Sequence, residues 1–445
     1  MNAAQRLPGA TTDRERTVGG AGDEPTTPSD RPAAALVAGV AVLVQSLALV
    51  LVVMLEGSAP SRGVRTLAIV VLGGLLAAGM TQASGGLQRL AAWVLLVVSS
   101  AASTAAAILV LTHIPADGQT ARATAALLAL LAGVTAVVAD VVVLATGRRW
   151  WRRLLAIPIG AVLLAFVAYP VAVAVYATAQ PPAELGTDSP ADRDLEHDDV
   201  TLSTDDDVEL SGWYLPTRNG AAVVLLHGAS STRTAVLRHA EALHDMGYGV
   251  LLFDARGHGR SQGRTMDLGW YGDLDVAAAV DHLQSLPEVD DDRIGVVGMS
   301  MGGEEALGAA AGDRRIRAVV AEGAENRTYE DRDDWLPSGI GGWLQRRIDQ
   351  VTFALVDLTT PASPPIGLRD AAAVVAPRPI LLIVGEGEDA AARSIRDGAP
   401  EHVEIWETGT AHIAGLADRG QDWRQRVESF LDRALAPCTP GAAGC

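Results

Sequence analysis

Residues 294–303 read Ile294-Gly295-Val296-Val297-Gly298-Met299-Ser300-Met301-Gly302-Gly303. The first four form a short apolar run that suits a buried strand, and residues 303–311 continue with a helical pattern. A serine at the join of strand and helix, flanked by small residues, suits a strained turn that pushes its hydroxyl into a pocket. Gly298 and Gly302 let neighbouring backbone pass that turn without meeting a Cβ. The next N–H, on Met301, opens the helix and faces any negative charge that develops there. The pattern suits a nucleophile for acyl transfer. In a chain with 46 glycines G-x-S-x-G is a weak signal alone, so its surroundings decide.

Those surroundings are an alternation of short apolar runs and helical stretches. Extended runs are predicted at 200–203, 208–214, 221–226, 249–254, 294–297, 316–321, 379–384 and 403–406. Helical patterns fall at 234–246, 271–286 and 423–434. This alternation predicts a mostly parallel sheet with helices on both faces, an α/β class. Ligands should bind at the carboxyl ends of its strands.

Polar residues gather at those ends. Leu226-His227-Gly228-Ala229 closes one strand with a glycine turn, and the N–H of Ala229 is a candidate second oxyanion donor beside Met301. Asp254-Ala255-Arg256-Gly257-His258-Gly259-Arg260-Ser261 closes the next and reads as a structural loop. A base for Ser300 must be a late histidine. His412 follows the strand ending at 406 and precedes the last helix, so it can swing over the sheet. His402 precedes its strand, at the wrong end, and His239, His244 and His282 read as surface residues of helices. The acid that orients His412 should follow the strand at 380–384, where the chain reads Gly385-Glu386-Gly387-Glu388-Asp389. A carboxylate there fixes the imidazole tautomer and stabilises its charged form. Both Glu388 and Asp389 qualify, with a slight preference for the shorter Asp389.

Residues 200–435 resemble an α/β hydrolase. The chain order Ser300, acid, His412 matches that superfamily, as do the His227-Gly228 turn and the stretch 254–261. With Asp292-Arg293-Ile294-Gly295 before the serine turn, these segments are similar to the serine aminopeptidase-like and dienelactone hydrolase-like branches. One departure is that the acid loop lacks the usual single Gly-x-x-Asp followed by proline. The resemblance implies a Ser-His-acid mechanism on an ester, thioester or peptide bond. It implies the mechanism more firmly than the substrate, and no metal or other cofactor.

The N-terminal part is of another kind. Residues 1–32 are rich in Gly, Pro, Thr, Asp and Arg and read as a disordered leader. Five apolar runs follow, at 33–55, 64–81, 90–112, 123–146 and 154–178. Each is near the length that crosses ~30 Å of hydrocarbon, the second being the shortest, with four spans as the alternative count. An all-α transmembrane domain over 33–178 is therefore expected, then a Pro- and Asp-rich linker at 179–199, the α/β domain at 200–435 and a short tail at 436–445. Residues 324–365, with Trp335, Trp343 and Leu344, lie between two strands and offer a lid. Asp140 falls inside the fourth run, where a charge is costly, so it should pair with a polar neighbour or reach the interface.

Charge gives an orientation. The loop Arg148-Arg149-Trp150-Trp151-Arg152-Arg153 carries four cations and two tryptophans, the make-up of a cytoplasmic interface. Arg6, Arg14, Arg16, Arg31 and Arg89 fall on the same side, against Arg62, Arg65 and Arg122 on the other. An odd number of spans then sends the α/β domain to the extracytoplasmic side of a plasma membrane.

Composition excludes other classes. The chain has no lysine. Up to Thr178 the net charge is +4, and from Ala179 onward it is −22. So acidic a C-terminal half argues against nucleic acid as partner. Cys438 and Cys445 sit in the tail and the nine histidines are scattered, so no metal-ligand spacing exists. A dinucleotide loop fails on spacing, since Gly298, Gly302 and Gly303 do not make G-x-G-x-x-G. The sequence therefore points to a membrane-held serine hydrolase of a small-molecule or lipid acyl substrate. A peptidase on the same triad and a non-catalytic scaffold are the other readings.

Overall fold

The computed structural model describes residues 30–55, 62–117, 120–145 and 156–437. The leader up to residue 29, the arginine loop 148–153 and both cysteines lie outside the described residues.

Helices α1 (Asp30–Met54), α2 (Arg62–Thr81), α3 (Gly85–Asp117) and α4 (Ala121–Ala145) form an apolar bundle, with α1 packed on α2 and α4, and α3 on α4. A fifth passage combines α5 (Ala156–Leu163), a π-helical turn (Leu164–Ala168) and α6 (Tyr169–Ala179). The widened turn has an identifiable cause. Pro170 has no N–H to offer the carbonyl four residues back, so the ladder must slip there. Among the described residues, five helices are long and apolar enough to cross a membrane, including the short second one at Gly63–Thr81. His113 near the end of α3 lies 2.9 Å from the Ala179 carbonyl, which ties the exit of the last helix to the end of the third.

Asp140 departs from expectation. It is fully buried between helices, and among the described residues neither carboxylate oxygen has a hydrogen-bond partner. Elsewhere in the bundle, Gln45 Nε2 donates to Ser103 Oγ at 3.4 Å and to the Ser99 carbonyl at 3.5 Å.

The C-terminal part is an eight-stranded sheet. Its strands are β1 (Asp198–Ser203), β2 (Glu209–Leu215), β3 (Ala222–Leu226), β4 (Gly249–Phe253), β5 (Ile294–Met299), β6 (Ile316–Glu322), β7 (Ile380–Val384) and β8 (Val403–Glu407). Each expected run carries one of them. The order is β1-β2-β4-β3-β5-β6-β7-β8. β2 is antiparallel to both neighbours, and every pair from β4 to β8 is parallel. Strands β3, β4, β5 and β7 are buried along their whole length. Their continuous apolar sequences follow from having helices on both faces.

On one face lie α8 (Gly272–Gln284), α9 (Met301–Gly312), α12 (Leu368–Val375) and α13 (Asp389–Gly398), whose Leu283, Leu307, Leu368 and Ile395 join the core there. On the other lie α7 (Leu237–Asp245) and α15 (Gly420–Ala434), contributing Leu243, Trp423 and Phe430. The strand order reverses at β3, between β4 and β5, and the crevice above that reversal is where a ligand belongs. Between β6 and β7 stand α10 (Tyr329–Trp335) and α11 (Ile340–Thr359), the region expected as a lid. Short α14 (Gly415–Asp418) precedes α15.

Candidate active site

Ser300 sits between β5 and α9 with φ 54° and ψ −122°, a conformation that L residues avoid. The turn is locked from both sides. A Cβ on Gly298 would lie 2.1 Å from the Gly302 carbonyl oxygen, and one on Gly302 would lie 2.6 Å from that of His227. The two glycines are therefore required by close backbone approach. The N–H of Ser300 donates to the carbonyl of Glu322 at 2.7 Å, which pins the turn to the next strand.

His412 Nε2 lies 2.9 Å from Ser300 Oγ, and His412 Nδ1 lies 2.5 Å from Glu388 Oε1. With Nδ1 protonated, the ring donates to the carboxylate and accepts from the serine hydroxyl. The acid in contact is thus Glu388, against the preference for Asp389. Glu388 occupies the N-cap position of α13, and its Oε2 accepts from the Gly385 N–H at 2.7 Å, folding the side chain back towards the strand end. Asp389 is one residue further into the helix, about 100° around its axis, and pairs with Arg393 on the surface.

The pair is electrostatically matched. The hydrogen bond to Glu388 holds the His412 imidazole above its ordinary value, against partial burial, and the charges of Glu388, Glu325 and Glu304 add to it. For Glu388, burial pushes the carboxyl up. The hydrogen bonds from His412 and Gly385 outweigh that, and it titrates below the usual range.

A cavity of about 360 Å³ opens above Ser300. Met301 and Ala229 both line it, and among the described residues neither backbone N–H has a hydrogen-bond partner. The remaining wall includes Leu268, Glu325, Asn326, Thr352 and Phe353. Arg332 and Asp349, a pair at 3.2 Å bridging α10 and α11, close its polar end. The expected lid is therefore two helices over the serine. Trp343 is not buried in it but 55% exposed.

Other histidines sort themselves. His258 is buried, with Nδ1 3.0 Å from the Arg256 carbonyl, inside a loop held by Arg256–Asp275 and Arg233–Asp254 ion pairs. His239, His244 and His282 are half-buried rather than surface residues, and His239 packs edge-on against Trp423 at 5.4 Å.

Three features escaped the sequence. Glu322, ending β6, is buried, and it accepts from the Gly415 N–H at 2.8 Å and the Trp423 indole at 2.9 Å. Its carbonyl holds Ser300 while its side chain holds the loop that carries His412. A glutamate closing an apolar strand was the available signal. Glu304 lies buried beneath the cavity and accepts from the N–H groups of Glu325 and Asn326, and burial pushes its carboxyl up to about 8. Third, Tyr169 and Val173 of α6 line the same cavity, and Met301 packs with Ala177. Nothing in the sequence joins the fifth apolar run to a turn more than a hundred residues later.

Residues 217–362 match the family model described as serine aminopeptidase, S33. With this sheet order and this serine turn, that match supports the hydrolase superfamily for the C-terminal half. The matched segment covers β3 to β6 and the helices over the site. The C-terminal half is similar to an uncharacterized protein of Mycobacterium tuberculosis (strain ATCC 25618 / H37Rv), 38% identical over 115 residues, 25% of this chain and 40% of that protein. It is also similar to thiohydrolase aneE of Aspergillus aculeatus, 35% identical over 129 residues, 28% of this chain and 41% of that protein. The chain thus spans about two fifths of the length of these curated relatives. Among solved structures, an esterase of Pyrococcus furiosus aligns with a TM-score of 0.48 and 29% identity, covering 59% of this chain and all of that one.

Proposed function

We propose that this chain is a membrane-held serine hydrolase that cleaves acyl esters or thioesters. The observation that carries it is the continuous relay Ser300 Oγ–His412 Nε2 and His412 Nδ1–Glu388 at 2.9 and 2.5 Å on a strained serine turn. Ser300 Oγ attacks the acyl carbonyl while His412 takes its proton, and Glu388 stabilises the imidazolium. The N–H groups of Met301 and Ala229 hold the oxyanion. The bond to the leaving group then breaks, and His412 returns the proton to that alcohol or thiol. Water attacks the acyl-serine with His412 again as base, releasing the acid and free Ser300.

The name of the relative aneE favours a thioester, and the name of the family model keeps an aminopeptidase as the second reading. The five apolar passages support a membrane anchor. The arginine-rich loop 148–153 supports an extracytoplasmic hydrolase half, which protease shaving of intact cells tests.

The decisive experiment is fluorophosphonate labelling of membranes containing the wild-type chain beside Ser300→Ala. Labelling that vanishes in the variant supports an activated serine. A folded wild-type chain that resists labelling removes the catalytic reading. p-Nitrophenyl esters against aminoacyl amides then divide esterase from peptidase.

A further inference from the structure

The cavity above Ser300 lies between the last apolar helix and α11. Val356 of α11 meets Ala174 of α6, and Thr352 and Phe353, one turn earlier, share the cavity wall with Val173 and Tyr169. The contact of α11 continues to the π-helical turn at 164–168. The two helices therefore run side by side in the same direction. The amino-terminal part of α11 descends along the π-helical turn of Pro158–Ala179, a segment apolar enough to cross a bilayer.

That descending end is apolar where none of the described residues covers it. Ile340 is 86% exposed, Trp343 55% and Leu344 40%. Isolated exposed apolar residues are ordinary. Here three lie within five positions at the end of a helix, beside a span whose own Val162 and Tyr169 are 57% and 50% exposed. The apolar end thus continues the apolar belt of the span. Its charged neighbours are arranged for an interface. Arg347 lies over the Trp343 ring at 5.8 Å, and Arg346 pairs with Asp333 at 2.6 Å. An apolar end with tryptophan and arginine close behind is the composition of a helix that lies in the lipid boundary.

The cavity between the helices divides in the same sense. Val173, Leu268, Met301 and Phe353 give an apolar wall, while Asn326 and the Arg332–Asp349 pair give a polar one. An acyl chain fits the first and an ester headgroup the second.

We infer that the end of α11 is embedded in the bilayer beside the last span, and that the crevice between α11 and α6 leads an acyl chain from the membrane to Ser300. The substrate is then a long-chain acyl ester resident in the bilayer. This rests on the acyl-hydrolase reading given above.

The test uses the full chain in phosphatidylcholine vesicles with two substrates, p-nitrophenyl butyrate in solution and a fluorogenic long-chain diacyl ester in the bilayer. The double variant Ile340→Glu with Trp343→Glu should keep the solution rate within about twofold and lose about tenfold or more on the bilayer ester, since charges at that depth are expelled. Equal losses on both substrates, or none on the bilayer ester, overturn the inference. A wild-type chain that takes fluorophosphonate and cleaves butyrate but spares the bilayer ester also overturns it, leaving the hydrolase reading intact. No labelling and no cleavage of either substrate fails the hydrolase reading itself. A second measurement needs no charge substitution: Ile340→Cys, in a background of Cys438→Ser and Cys445→Ser, carries an environment-sensitive fluorophore. Quenching by brominated lipid supports embedding. Quenching by iodide in the water phase refutes it.

Discussion

Glu388 holds His412 at 2.5 Å with one carboxylate oxygen and the Gly385 N–H at 2.7 Å with the other. The carboxylate is fixed at both ends before any substrate arrives. Its neighbour Asp389 faces Arg393 across one turn of α13.

The first prediction separates these two carboxylates. Glu388→Gln should lower turnover by ~10²-fold to ~10⁴-fold, because the imidazole loses its tautomer and its counter-charge. Asp389→Asn should stay within about twofold of wild type, as an exposed ion pair contributes little. Steady-state kinetics on a p-nitrophenyl ester decides. The reverse ranking would return the acid role to Asp389.

The second concerns pH. His412 works as a base only when neutral, so activity should rise as it deprotonates. Because the hydrogen bond to Glu388 raises its titration point, the midpoint of the rising limb should lie above the ordinary 6.5. In Glu388→Gln the residual activity should show that limb moved to lower pH. A profile flat from pH 5 to 9 with chemistry limiting would remove His412 from the mechanism.

Glu304 supplies a third prediction. Its carboxyl is raised from 4.5 to about 8 by burial, so the folded state holds a proton that the unfolded chain releases. The resulting stability is complete below about pH 4.5 and is lost as pH rises through about 8. Melting temperature should therefore fall over that window in the wild type. Glu304→Gln, uncharged at every pH, should flatten the decline. Parallel melting curves for the two proteins would place the titration elsewhere.

The strained serine gives a fourth. Ser300→Ala and Ser300→Gly should both reduce turnover by ~10⁴-fold or more. Only glycine relieves the positive φ, so Ser300→Gly should be the more stable of the two by about 1 kcal/mol. Denaturant titration of both variants checks the order. Equal stabilities would show that the turn stores no strain.

Much of this was legible because local pattern and local physics agree. Eight apolar runs became eight strands, since a parallel sheet covered on both faces needs unbroken apolar sequence. Gly298-Met299-Ser300-Met301-Gly302 marked its turn because the close approach of His227 and Gly302 forbids a Cβ there. The acid was not legible. Glu388 and Asp389 are adjacent carboxylates, and the choice depends on side-chain direction where α13 begins, a matter of one residue and about 100°. The fate of Asp140 was also hidden, because its surroundings come from helices brought together by packing.

The sequence by itself determined the order of the candidate site residues along the chain, serine before acid before histidine, and the presence of five runs long enough to cross a bilayer. Those are properties of spacing and composition, which the chain carries whatever its shape. Only the tertiary structure decided that Glu388 meets His412, that Glu322 ties Ser300 to the histidine loop, and that Tyr169 and Val173 of the last apolar helix wall the same cavity as Ser300. Each of these joins residues distant in sequence or choosing between adjacent directions. The first two distances exist only once the sheet and its loops have folded, and the last only once the two halves have packed against each other.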